Sequence, residues 1–176
     1  MPHYSFNGTG DIWGPGFSIR YTNYFKKRIS WGVWLGCTIH DKNWPIDFID
    51  STGRTYDISI RNTTAGLQGG GNLAYSVVRS QMHEIKVELG GVIRYQSTSN
   101  PDITTVLYPA LTGIPFPVYV FQQTSPQRTL AIGANFQVSY NFNFNNRVSV
   151  GIIAGLQTDT NGERILPIGI TVGKRF

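Results

Sequence analysis

The chain has 176 residues, enough for one domain, and 15 Lys plus Arg against 10 Asp plus Glu give it a net charge of +5. Charged residues make up only 14% and apolar residues 40%, which excludes an acidic disordered chain. Cys37 is alone and three His are scattered, so neither a disulfide framework nor a zinc site is available, and no cofactor is expected.

The first ten residues, MPHYSFNGTG, have neither the basic start nor the apolar run of a secretory signal. The first alternating segment lies near residues 16–25, where Phe17, Ile19 and Tyr21 oppose Ser18, Arg20 and Thr22. A second, near 28–40, sets Ile29, Trp31, Val33, Leu35, Cys37 and Ile39 against Ser30, Gly32, Trp34, Gly36, Thr38 and His40. After a long connection over 41–62, a third segment near 64–78 places Leu67, Leu73, Tyr75 and Val77 on one face. Gly69, Gly70 and Gly71 interrupt it, without the Lys-Ser/Thr of a phosphate-binding loop, and predict a bulge or tight curvature. Near 83–96, Ile85, Val87, Leu89, Ile93 and Tyr95 oppose Glu84, Lys86, Glu88, Arg94 and Gln96.

The connection over 97–127 is the longest. Its apolar run from Val106 to Phe121 contains Pro109, Pro115 and Pro117, which exclude a membrane-spanning helix. Near 129–142 thirteen residues alternate without error, with Leu130, Ile132, Phe136, Val138, Tyr140 and Phe142 on one face. Segments near 147–158 and 164–176 complete the pattern, separated by the Asn161-Gly162 hairpin signal. Seven strands of about 11–14 residues are therefore visible, against about 5–6 in ordinary globular strands and about 9–11 needed to cross a bilayer.

Short basic or amide-rich turns (Tyr24–Arg28, Val78–His83, Asn143–Arg147) alternate with long connections, the arrangement of outer-membrane barrels. Alternation alone does not say which face meets lipid. The face carrying Gly, Ser, Asn and Gln also carries Arg20, Glu84, Lys86, Glu88, Arg94 and Arg175, a set that neutralises itself and suits a narrow interior as a salt-bridge network. Trp31, Phe136, Tyr140 and Phe142 sit near the short turns, where an aromatic girdle belongs.

The stretches YTNYFKKRISWGVWLG, VSYNFNFNNRVSVGIIAGLQ and LPIGITVGKRF resemble the small outer-membrane β-barrel proteins of the OmpA/OmpX type, in particular Bacteroidetes-like ones, from about Gly16 to Phe176. The resemblance implies an all-β, antiparallel up-and-down transmembrane barrel of eight strands in a bacterial outer membrane. It implies a monomer whose partners are the lipid bilayer and the barrel-assembly machinery, which reads the terminal aromatic residue, here Phe176. Seven strands depart from the even number of such barrels. The first strand and a signal peptide are expected upstream of Met1, or else Tyr4–Asp11 forms a shortened first strand.

Function is expected to be structural or one of surface contact, with no enzyme activity and no nucleic-acid partner, since the cations form no basic stripe. Tyr108, Phe116, Tyr119 and Phe121, stiffened by nearby prolines, form a candidate outer-loop contact surface. One alternative is a soluble lipocalin-like barrel holding an apolar ligand. Another is a lipid A deacylase-like hydrolase built from His40 with Asp41, Asp47, Asp50 and Ser51, residues that an ordinary loop also accounts for. Cys37 lies on the apolar face as a small hydrophobe.

Overall fold

The structure, a computed structural model, describes residues 1–8, 12–45, 47–49, 52–57, 59–99, 103–114, 117–122, 127–144 and 147–174, with the backbone alone for Phe48, Ile103, Thr104 and Phe121. Eight antiparallel strands close into a barrel. They are β1 (Pro2–Asn7), β2 (Ile12–Tyr24), β3 (Ile29–Trp44), β6 (Ile60–Arg79), β7 (His83–Thr98), β10 (Arg128–Phe144), β11 (Val148–Asp159) and β12 (Arg164–Lys174). Two small hairpins, β4 (Asp47–Ile49) with β5 (Thr55–Asp57) and β8 (Ile103–Leu107) with β9 (Val118–Gln122), stand on the long connections. The second carries a single helical turn, α1 (Pro109–Thr112).

The expectation of a missing first strand is overturned. β1 pairs with both β12 (Tyr4 opposite Ile168) and β2 (Tyr4 opposite Pro15) and closes the wall. Its six residues alternate like the rest: Tyr4 points outward while Ser5 and Asn7 are buried. It covers β2 only as far as Phe17 and β12 only as far as Gly169.

The long connections are also shorter than the alternation suggests. β3 runs on to Trp44 and β6 starts at Ile60, pairing Asp41 with Thr63 and Trp44 with Ile60. The barrel wall thus rises beyond its apolar zone on that side.

Alternation decides the two faces. Leu35, Leu130 and Ile152 are each at least 60% exposed, whereas Arg94, Glu88 and Gln96 are buried. The apolar set points outward and the polar set fills the interior, the inverse of a soluble barrel. Among the described residues no outward-facing charge interrupts the band from Trp31 to Ile39 on β3 or from Leu166 to Val172 on β12. Nine residues at about 3.4 Å each, tilted near 40°, rise roughly 20–25 Å, the height of an outer-membrane barrel's apolar belt.

The glycine triplet sits in regular ladder. The register shift falls instead between Ser76 and Val78, so Val77 is the bulged residue. Gly70 is required for close approach: a Cβ there would meet the carbonyl oxygen of Gly91 at 2.1 Å.

Candidate functional site: the closed lumen and the hairpin end

Charged side chains from four strands and one turn meet in the lumen at three levels. Nearest the hairpin end, Arg94 from β7 is fully buried and ion-paired with Glu163, with Asp159 at 3.7 Å. Glu163 also accepts hydrogen bonds from Asn7 Nδ2 (3.1 Å) and Gln96 Nε2 (2.9 Å). The turn between β11 and β12 delivers these acids: Asp159 Oδ1 accepts the Asn161 and Glu163 N–H groups, and Gly162 takes φ = 77°. That left-handed conformation favours Gly, so the Asn-Gly signal also folds a carboxylate into the barrel mouth.

At mid-height Arg20 bridges to Glu88 at 2.5 Å and donates to Gln137. Glu88 also accepts from Asn72, whose side-chain oxygen takes the Trp34 indole N–H at 3.3 Å. Toward the short turns, Glu84 accepts from the Tyr24 hydroxyl and from Ser76 at 2.9 Å, with Arg79 at 3.7 Å. Of the residues singled out from sequence, Arg20 and Glu88 meet directly, whereas Arg94 and Glu84 sit at opposite ends with other partners. Lys86 lies 6.0 Å from the Tyr24 ring. Arg175 lies outside the described residues. Asp159 and Glu163 were missed because DTNGE reads as a solvated turn, although both fall on the inward parity of their strands.

Such a lumen leaves little room for an apolar ligand. Its cavity is small and is lined in part by Arg20, Gln68, Gln137 and Gln157 together with Met1, Trp34, Ile153 and Ile165, and these four polar side chains are already hydrogen-bonded to one another or to Glu88. Of the deacylase grouping, the described His40 and Asp41 point to opposite faces. His40 points inward and is buried, its Nε2 2.9 Å from Ser5 Oγ, and its Nδ1 has no hydrogen-bond partner among the described residues. Asp41 points to the other face, held by Arg61 at 2.7 Å and Thr63 at 2.7 Å. These donors, Arg61 first, depress the Asp41 carboxyl to about 2. Asp50 and Ser51 lie outside the described residues. No group of His, Cys, Asp and Glu that could hold a metal occurs among the described residues.

Beyond the belt, the hairpin end presents β4–β5 and β8–β9. Lys42 lies 3.9 Å over the Trp44 ring. Tyr108 and Leu111 are exposed, and Tyr119 is half-buried on β9. Phe116 and the Phe121 side chain lie outside what the structure describes, as does Phe176.

No protein-family model matches this chain, and no curated protein does. Solved structures do. Ail, the attachment invasion locus protein of Yersinia pestis, in complex with the heparin analogue sucrose octasulfate, superposes with a TM-score of 0.52 at 10% identity over 99% of this chain and 95% of that one. Ail without that ligand gives a TM-score of 0.51 at the same identity and coverage. The fold is that of the small eight-stranded outer-membrane barrels. At this identity the likeness concerns the fold alone, and it agrees with the OmpA/OmpX-type architecture.

Proposed function

We propose that this chain is a bacterial outer-membrane β-barrel that serves as a rigid platform for surface contact through its two hairpins. The observation that carries this reading is the inversion of polarity. An uncharged apolar exterior of bilayer height surrounds a lumen filled by paired charges. In water that exterior would be a very large apolar patch, far above what a monomeric soluble protein exposes. The lumen, packed with Arg94, Glu163, Arg20 and Glu88, supports a structural role over a conducting one. The hairpins and their exposed Tyr108 and Leu111 supply the contact surface, and the C-terminal strand is the element read by the assembly machinery.

An epitope inserted at Gly53, in the turn between β4 and β5 at φ = 81°, tests the reading. Detection on intact Gram-negative cells is expected. Detection only after the outer membrane is permeabilised would place the hairpins in the periplasm and end the surface-contact role.

A further inference from the structure

The two ends of the barrel differ in charge. At the hairpin end the exposed cations Arg54, Arg61, Arg128 and Arg164 are interspersed with Asp41, Asp47 and Asp57. At the short-turn end the described cations are Lys26, Lys27, Arg28, Arg79, Arg147 and Lys174, and the one described carboxylate, Glu84, is buried and turned inward. None of Lys26, Lys27, Arg28 and Arg147 has a carboxylate partner among the described residues.

A second feature adjoins these cations. The bulge at Val77 leaves Val77 and Val78 both exposed, and beside it the outer wall forms an open apolar groove lined by Ile29, Leu73, Tyr75, Val77, Val87 and Leu89. The Tyr75 hydroxyl marks the groove's polar end, 3.4 Å from Arg28 Nη1. Arg79 donates to the Lys27 carbonyl and lies over the Tyr24 ring, 3.7 Å from its centre, which ties the two turns together.

We propose that this groove and the cations beneath it hold an anionic phospholipid of the leaflet at the short-turn end. An acyl chain lies along Leu73, Val87 and Leu89, and the phosphate is taken by Arg28 and Lys27. The charge is complementary, and the groove is continuous with the lipid-facing belt. Arg supplies a planar fork that matches phosphate geometry. The proposal rests on the membrane reading above. Attraction of about fivefold per cation near an anionic surface is the usual scale.

Trp31 faces outward opposite Leu73 and reports on the groove. The test refolds the full chain into phosphatidylcholine vesicles containing brominated phosphatidylglycerol or, separately, the same fraction of brominated phosphatidylcholine. The Trp31 signal is taken by difference from Trp31→Phe. Brominated phosphatidylglycerol should quench Trp31 with an apparent affinity at least about fivefold that of brominated phosphatidylcholine, and up to about 25-fold with both cations engaged. Lys27→Gln with Arg28→Gln should bring the ratio close to one, with unheated gel mobility verifying that this variant is folded. Equal quenching by both lipids in the native protein, or a preference that survives both substitutions, overturns the proposal while leaving the membrane reading intact. Absence of quenching by either lipid overturns both.

Discussion

Replacing Arg94 by Met is expected to be the most destabilising single change in the lumen. The guanidinium is fully buried, between Glu163 and Asp159, whose side chains are 9% and 0% exposed. Methionine preserves most of the side-chain length but leaves two carboxylates without a cation. Breaking a buried pair in this way costs about 3–5 kcal/mol. Glu163 retains hydrogen bonds from Asn7 and Gln96, which places the cost near the lower figure, a loss of about two orders of magnitude in the folding equilibrium. In Arg94→Met with Glu163→Gln, one of the stranded charges is gone, and about 1–2 kcal/mol should return. The assay is urea unfolding in lipid vesicles, followed by Trp fluorescence and unheated gel mobility. A single variant within about 1 kcal/mol of wild type, or a double variant no more stable than the single, would refute the reasoning.

Three further outcomes follow from the same geometry. Leu35→Arg and Ile152→Arg, at outward positions 60% and 63% exposed, should each cost roughly 2–4 kcal/mol of stability in vesicles. Asp57→Arg on the hairpin should leave it unchanged, and equal effects would remove the lipid-facing assignment. Gly162→Val forces a β-branched residue into φ = 77° and should cost about 1–2 kcal/mol, with Gly162→Asn milder in the same unfolding assay. Asp41 has its carboxyl depressed to about 2, chiefly by Arg61. Its contribution is therefore complete above the unfolded value near 3.9 and is lost only as pH falls through about 2. Carboxyl NMR should show that midpoint in the native protein and a return toward the ordinary value in Arg61→Gln.

The opposing faces of the long strands were legible because alternation continued over many residues, as from Leu130 to Phe142. β1 was harder to see for a physical reason. Pro2–Asn7 alternates correctly, but six residues are too few to distinguish pairing from chance, and Gly8 follows at once. What fixes β1 is the gap between β2 and β12, a long-range fact invisible to a local window. The lumen partners divide in the same way. Arg20 and Glu88 are 68 residues apart, and parity places both inside without saying that they meet. Arg94 was visible, but its acids hid in a turn sequence, where continuing the parity of β11 and β12 by one residue would have exposed them. The bulge expected at the glycine triplet lay instead at Val77, among β-branched residues that carry no such signal, and of the triplet Gly70 serves a close backbone approach to Gly91.

Cys37 offers the most direct measurement of the central claim, that the apolar exterior faces lipid. It is the chain's one cysteine, it is exposed, and it points outward between Phe17 and Leu67 within the belt. A nitroxide attached there, with no substitution needed, reports its surroundings by electron paramagnetic resonance in phospholipid vesicles. High accessibility to oxygen with exclusion of a water-soluble nickel chelate is the predicted result. Free collision with the nickel chelate would place Cys37 in water and contradict the account.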